Sequence, residues 1–210
     1  MLFPQYLNPY WSFTPDPVTI SSEWVRVATC VSQSAVQLLS DMRMLWEQHI
    51  TWTRLAIQSL VFNTPDQPYT IARLLRNGPD MGNMLVPYYG EEAGRTYGNL
   101  IKEHLLIAAD LVKAAIAGDQ QAVASTEKKW YANADQIVDF LSRLNPFFPK
   151  EAFHKMFYRH LELVKSEAVT LISKDYQANV DLFDEMERDA LMMADTITAS
   201  IIKQFPQMFG

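Results

Sequence analysis

Apolar residues recur at three- and four-residue intervals over most of this chain, the spacing that gathers side chains on one face of a helix. The first stripe runs Trp24, Ala28, Val31, Ala35, Leu38, Met42, Leu45, Trp52, Ala56. Ser21 or Ser22 can cap a helix there that runs to about residue 62, with a possible break at Ser40-Asp41, before Pro65 and Pro68 end it. Residues 69–77 predict a short helix. Residues 78–90, with Gly78, Gly82, Pro87 and Gly90, read as a connector, because glycine and proline punctuate helices. Further helices are predicted at about 91–117, closed by Gly118; from Asp119 to before Asn145-Pro146; from Pro149 to about 174; and from about 175 to 204. The expectation is an all-α fold: an antiparallel bundle of four or five long helices with a short connector helix, in a single domain over 21–210. Residues 1–20, with four prolines and no helical period, read as an extended aromatic arm.

Three of the four histidines interrupt these stripes where a core residue belongs. His49 falls in the first, His104 among Tyr97, Ile101, Ala108 and Leu111, and His160 among Phe153, Phe157, Val164 and Leu171. A buried imidazole needs partners for its ring nitrogens, which a carboxylate, a carbonyl, a water or a metal can supply. His154 lies off its stripe and is expected in solvent. In tight antiparallel hairpins, residues equidistant from a turn share a height. His104, the 131–133 segment, His160 and Glu187 are therefore expected in one layer, with Tyr131 beside the imidazoles. Glu187 also falls on the stripe Val180, Phe183, Ala190, Ala194. Glu127 and Glu167 interrupt stripes as well and should face each other about two turns away, roughly 10 Å.

Imidazoles and carboxylates from several helices are the donor set of a metal centre in a bundle core, ferritin-like or hemerythrin-like in style, and iron, manganese or zinc would suit it. His49, His104, His160 and Glu187 are the candidate ligands, with Glu127 and Glu167 as a second layer. The pattern is incomplete, since the Glu-x-x-His pairs of di-iron bundles are missing. The same residues also suit a metal-free hydrogen-bonded layer that fixes helix register, or a small-molecule pocket. Arg54, opposite the first stripe, could join Arg73 and Arg76 as an anion site, and Asn133 and Asp135 are expected in solvent. Met186, Met192 and Met193 read as core filler.

Composition narrows the function further. The net charge of −6 and the lack of a basic stripe argue against nucleic acid as a partner. No glycine-rich phosphate loop or G-x-S-x-G elbow occurs, and Cys30, alone beside an apolar run, lacks the setting of a nucleophile. No apolar run approaches the about 20 residues of a membrane span, and the N-terminus lacks a secretory pattern, so a cytoplasmic location is expected. These readings lean away from an enzyme and towards a non-catalytic binding or assembly protein. The aromatic arm (Phe3, Tyr6, Tyr10, Trp11, Phe13) and the long first stripe supply a motive for a homodimer using residues 1–40.

The segments LWEQHITWTR (45–54), ARLLRN (72–77), KEHLLIAADLVKAA (102–115), KKWYANADQI (128–137) and IIKQFP (201–206) resemble a family of bacterial helical proteins of about this length, with the likeness running from about residue 41 to the C-terminus. The resemblance implies the helical fold and brings no established activity or site residues. Members sometimes carry the label acetylglutamate kinase. Kinases of that type are α/β proteins with glycine-rich phosphate loops, and this sequence offers neither.

Overall fold

The computed structural model describes residues 32–210. The predicted arm, Cys30 and the helix start at Ser21 or Ser22 lie outside the described residues.

Every regular element from Ser32 onward is helical. Helix α1 (Gln33–Phe62) begins at Ser32, whose hydroxyl accepts from the Ala35 amide at 3.2 Å. It runs unbroken through Ser40-Asp41 and ends at Asn63 in the left-handed region. Pro65 lies in the turn before the short α2 (Gln67–Leu75). Asp119 and Asp175 cap α4 (Gln120–Leu144) and α6 (Tyr176–Gln204) in the same way as Ser32, each accepting from the amide three residues on. Between them α5 (Lys150–Ile172) follows Pro149, and a 3-10 turn at Pro206–Met208 closes the chain.

The predicted connector at 78–90 is instead helical. Helix α3 (Asn77–Ala117) starts there, and only Gly90, at φ 82° and ψ 169°, departs from helical geometry. That combination is reserved for glycine, and it reverses the chain. The two arms of α3 then lie against each other along a glycine seam. A Cβ on Gly78 would stand 2.7 Å from the Gly98 carbonyl oxygen, and one on Gly94 2.7 Å from that of Gly82. The glycines that read as helix breakers are what allow the two backbones to touch.

The helices close a ring in the order α1, α3, α4, α5, α6 and back to α1, with α2 against α1 and α3. Trp130, Phe153, Ile50, Leu85, Met186 and Met193 fill the interior. Met192, expected inside with Met186 and Met193, is exposed. Among the described residues no helix is long and apolar enough to cross a membrane.

Candidate functional site

The three inward histidines are buried together, His49 4%, His104 2% and His160 1% exposed. The His49 and His160 rings stand 5.6 Å apart, and Phe157 lies between the other pair, 5.2 Å from His104 and 6.1 Å from His160. Trp46 flanks His49 at 5.7 Å and Trp130 stacks on His104 at 5.2 Å. Burial holds all three imidazoles well below their ordinary pKa, His49 down to about 4 and His104 to about 3. For His104 and His160 the neighbouring imidazoles add to the effect. All three rings are therefore neutral at physiological pH, the form that ligates metals or shares hydrogen bonds.

Their partners differ from those the sequence suggested. His104 Nδ1 lies 2.9 Å from Asn133 Oδ1, while Asn133 Nδ2 donates to the Leu100 carbonyl at 3.2 Å. The second bond fixes the amide with its oxygen towards the ring, so His104 carries its proton on Nδ1. Asn133, expected in solvent, is 3% exposed. Tyr131 is turned towards the bundle surface, its ring edge-on to Tyr158 at 4.8 Å.

On α6 the residue that meets His160 is Asp189, with Nδ1 to Oδ2 at 3.9 Å, and Asp189 is itself buried. Glu187 is half-exposed beside Glu47. Its carboxyl is raised by desolvation, by repulsion from Glu47 and Asp184 and by a hydrogen bond with Glu47. Asp189 sits two positions on and thus roughly 200° around the helix. The assignment of Glu187 to the imidazole layer is corrected accordingly. Among the described residues no three His, Cys, Asp or Glu side chains surround a common point closely enough to hold a metal as they stand, so the quartet His49, His104, His160, Glu187 is not an assembled centre.

The second predicted layer also divides. Glu127 accepts from Lys165 Nζ at 2.6 Å near the surface. Glu167 is fully buried and accepts from Arg54 at 3.0 Å, and Arg54 donates to Asn179 Oδ1 at 2.7 Å and covers the Phe183 ring. Asn179 Nδ2 in turn donates to the Glu167 carbonyl and to Thr170 Oγ1. Burial raises the Glu167 carboxyl to about 7 although Arg54 pulls it down. Arg54 is therefore no part of a surface anion site. Arg73 binds Gln48 and covers the Trp52 ring, and Arg76 faces Asp80. Histidine 154 is partly exposed, its Nε2 2.9 Å from Asp135 Oδ1, which also accepts from the Tyr158 hydroxyl.

Two openings bear on function, and the second reaches the imidazole layer. A groove of about 660 Å³ runs between α1, the first arm of α3 and the C-terminal turn, lined by Leu38, Met44, Leu45, Met84, Tyr88 and Phe209. A smaller cleft of about 390 Å³ reaches Asp189 between Arg159, Glu185 and Arg188. The void among Thr53, Ala56, Leu74, Leu105 and Val164 measures about 30 Å³, room for one water and no organic ligand.

No protein-family model, curated protein or solved structure matches this chain. The family resemblance rests on the five segments quoted above.

Proposed function

We propose that this chain is a non-catalytic helical-bundle protein that acts by association, and that it associates first with a second copy of itself. The observation that carries the reading is the groove between α1 and the first arm of α3. Its lining joins apolar Leu38, Leu45, Met84, Tyr88 and Phe209 with polar Ser34, Gln37, Asp41, Asp80 and Asn83, and includes two well-exposed methionines, Met44 at 53% and Met208 at 44%. A twofold interface must be self-complementary, so one patch has to carry both the projection and the recess. Here both lie on one face. Methionine's unbranched, polarisable chain suits such an insertion. A mainly apolar patch bordered by polar side chains is also the usual anatomy of a protein interface. Ser34, Gln37 and Leu38 belong to the 1–40 region from which dimerisation is expected.

Light scattering on the full chain at micromolar concentration tests the reading. A dimer that becomes a monomer in the double variant Met44→Glu/Met208→Glu, with unchanged helical circular dichroism, is the expected result. A monomeric wild type overturns the assembly function. A dimer indifferent to both substitutions overturns the groove as its interface.

A further inference from the structure

Three buried atoms of metal-ligating type have no hydrogen-bond partner in the imidazole layer: His49 Nδ1, His160 Nδ1 and Asp189 Oδ2. They come from α1, α5 and α6, and their residues are 4%, 1% and 4% exposed. A native interior rarely leaves one such atom unpaired, and each unpaired group calls for a cause such as a water or an ion. Two of these atoms, His160 Nδ1 and Asp189 Oδ2, stand 3.9 Å apart and the His49 ring lies 5.6 Å from that of His160, so three unpaired atoms in one neighbourhood call for a common cause.

We propose that His49 Nδ1, His160 Nδ1 and Asp189 Oδ2 bind a single divalent transition-metal ion. Two neutral imidazoles and one carboxylate form a mixed nitrogen and oxygen set, which favours zinc, iron or cobalt over calcium or magnesium. The distances are close to what such an ion imposes. With bonds of about 2.0–2.2 Å, tetrahedral ligand atoms stand about 3.4 Å apart and two ligating imidazole centroids about 5 Å apart. The observed values are 3.9 Å for His160 to Asp189 and 5.6 Å between the rings. As they stand, the three side chains do not hold an ion, so binding requires all three to move inward. The cleft between Arg159, Glu185 and Arg188 gives a route from solvent to Asp189. His104 stays outside the set, its Nδ1 proton committed to Asn133. Glu187, half-exposed beside Glu47, stays outside as well.

Cobalt(II) titrated into chelator-treated, full-length protein tests the assignment by visible absorption. One equivalent should produce the ligand-field bands of a four- or five-coordinate ion, and zinc(II) should abolish them by displacement. D189N and H160Q should weaken binding by well over the about 10–100-fold that losing an outer-shell partner costs, while E187Q and H154Q leave it unchanged. Since core variants can unfold, a second readout uses the wild type alone: zinc should shift the ring nitrogen resonances of His49 and His160 while His104 keeps its proton on Nδ1. A wild type without cobalt bands, or bands lost in H154Q or E187Q and kept in D189N, overturns the proposal. A high-resolution crystal grown with zinc that holds only a water between the three atoms overturns it too.

Discussion

Arg54 reaches from α1 to the buried Glu167 of α5, Nη1 to Oε1 at 3.0 Å, and its second terminal nitrogen holds Asn179 of α6 at 2.7 Å. One guanidinium thus ties three helices at a point where the carboxylate is fully enclosed and its other oxygen has no partner. Truncating one member of a buried pair strands the other charge, whereas replacing both with apolar groups removes the problem. Arg54→Met should therefore lower stability by about 3 kcal/mol at pH 8. The double variant Arg54→Met/Glu167→Leu should recover most of that loss. The cost of Arg54→Met should also shrink at pH 5, where the stranded carboxyl takes up a proton. Urea unfolding of the wild type and these two variants at both pH values measures all three effects, and equal losses for the single and double variants would contradict this coupling.

The glycine seam of α3 makes a separate claim. At Gly82 an added methyl meets the Gly94 carbonyl oxygen and the Gly98 backbone, neither of which can rotate away. Overpacking of this kind costs about 1–3 kcal/mol, and Gly82→Ala belongs at the upper end. At Gly118 there is open space and the only penalty is the left-handed backbone, so Gly118→Ala should cost about 1–2 kcal/mol. Thermal unfolding should rank Gly82→Ala as the more damaging. The reverse order would mean that the two arms do not touch there.

The buried ionisable groups set the response to acid, and they pull in opposite directions. His49 and His104 titrate at about 4 and about 3 when folded against 6.5 when unfolded, and His160 is lowered likewise. Below pH 6.5 the unfolded chain therefore binds more protons at these rings, and acidification destabilises. Glu167 and Asp189 are raised by burial to about 7 and about 6 from 4.5 and 3.8, so acidification through those windows stabilises. Three imidazoles outweigh two carboxyls. Stability should fall as pH drops from about 6 to about 4.5. The fall should be shallower in His49→Gln and steeper in Glu167→Gln, as followed by urea midpoints across that range. A wild type whose stability rises on acidification there would refute the burial of the histidine layer.

How far the sequence reaches can be judged from the same residues. Hairpin symmetry located heights along the bundle to within about a turn: His160 does meet α6 near the predicted level, and Glu127 does meet α5. It did not locate rotation about each helix axis. On α6 the stripe through Val180 and Glu187 competes with one through Met186, Asp189 and Met193, one residue ahead. The second wins in the N-terminal half, with Val180 57% exposed and Met186 at 0%, while Ala190, Ala194, Ile197 and Ile201 of the first are buried beside Met193 further on. Aspartate at a core position was the available signal, masked by the apolar company Glu187 keeps. The 78–90 segment failed for another reason. Glycine's meaning there depends on a second backbone approaching it, and the four-residue spacing of Gly78 with Gly82 and of Gly94 with Gly98 declares a seam only when the two pairs are read together. Arg54 departs from its flank position because a long side chain can reach inward from there.

Asn133 offers the most direct check on the layer itself. Its amide bridges two helices, donating to the Leu100 carbonyl and accepting from His104 Nδ1, with Trp130 stacked on the imidazole's face. Asn133→Leu removes both bonds and leaves the His104 N–H and the Leu100 carbonyl facing hydrocarbon, a loss on the order of 1–3 kcal/mol. Asn133→Asp keeps an acceptor for the ring while removing the donor to Leu100. It also brings negative charge to Nδ1, so the His104 pKa should rise from its depressed value. Long-range nitrogen–proton correlation spectra report both consequences. The wild type should show His104 as the neutral Nδ1–H tautomer through pH 5, and Asn133→Asp should show it protonated at a higher pH than the wild type. A wild-type His104 found as the Nε2–H tautomer would mean that the amide is turned the other way, and the hydrogen-bond assignment on which the layer rests would fall with it.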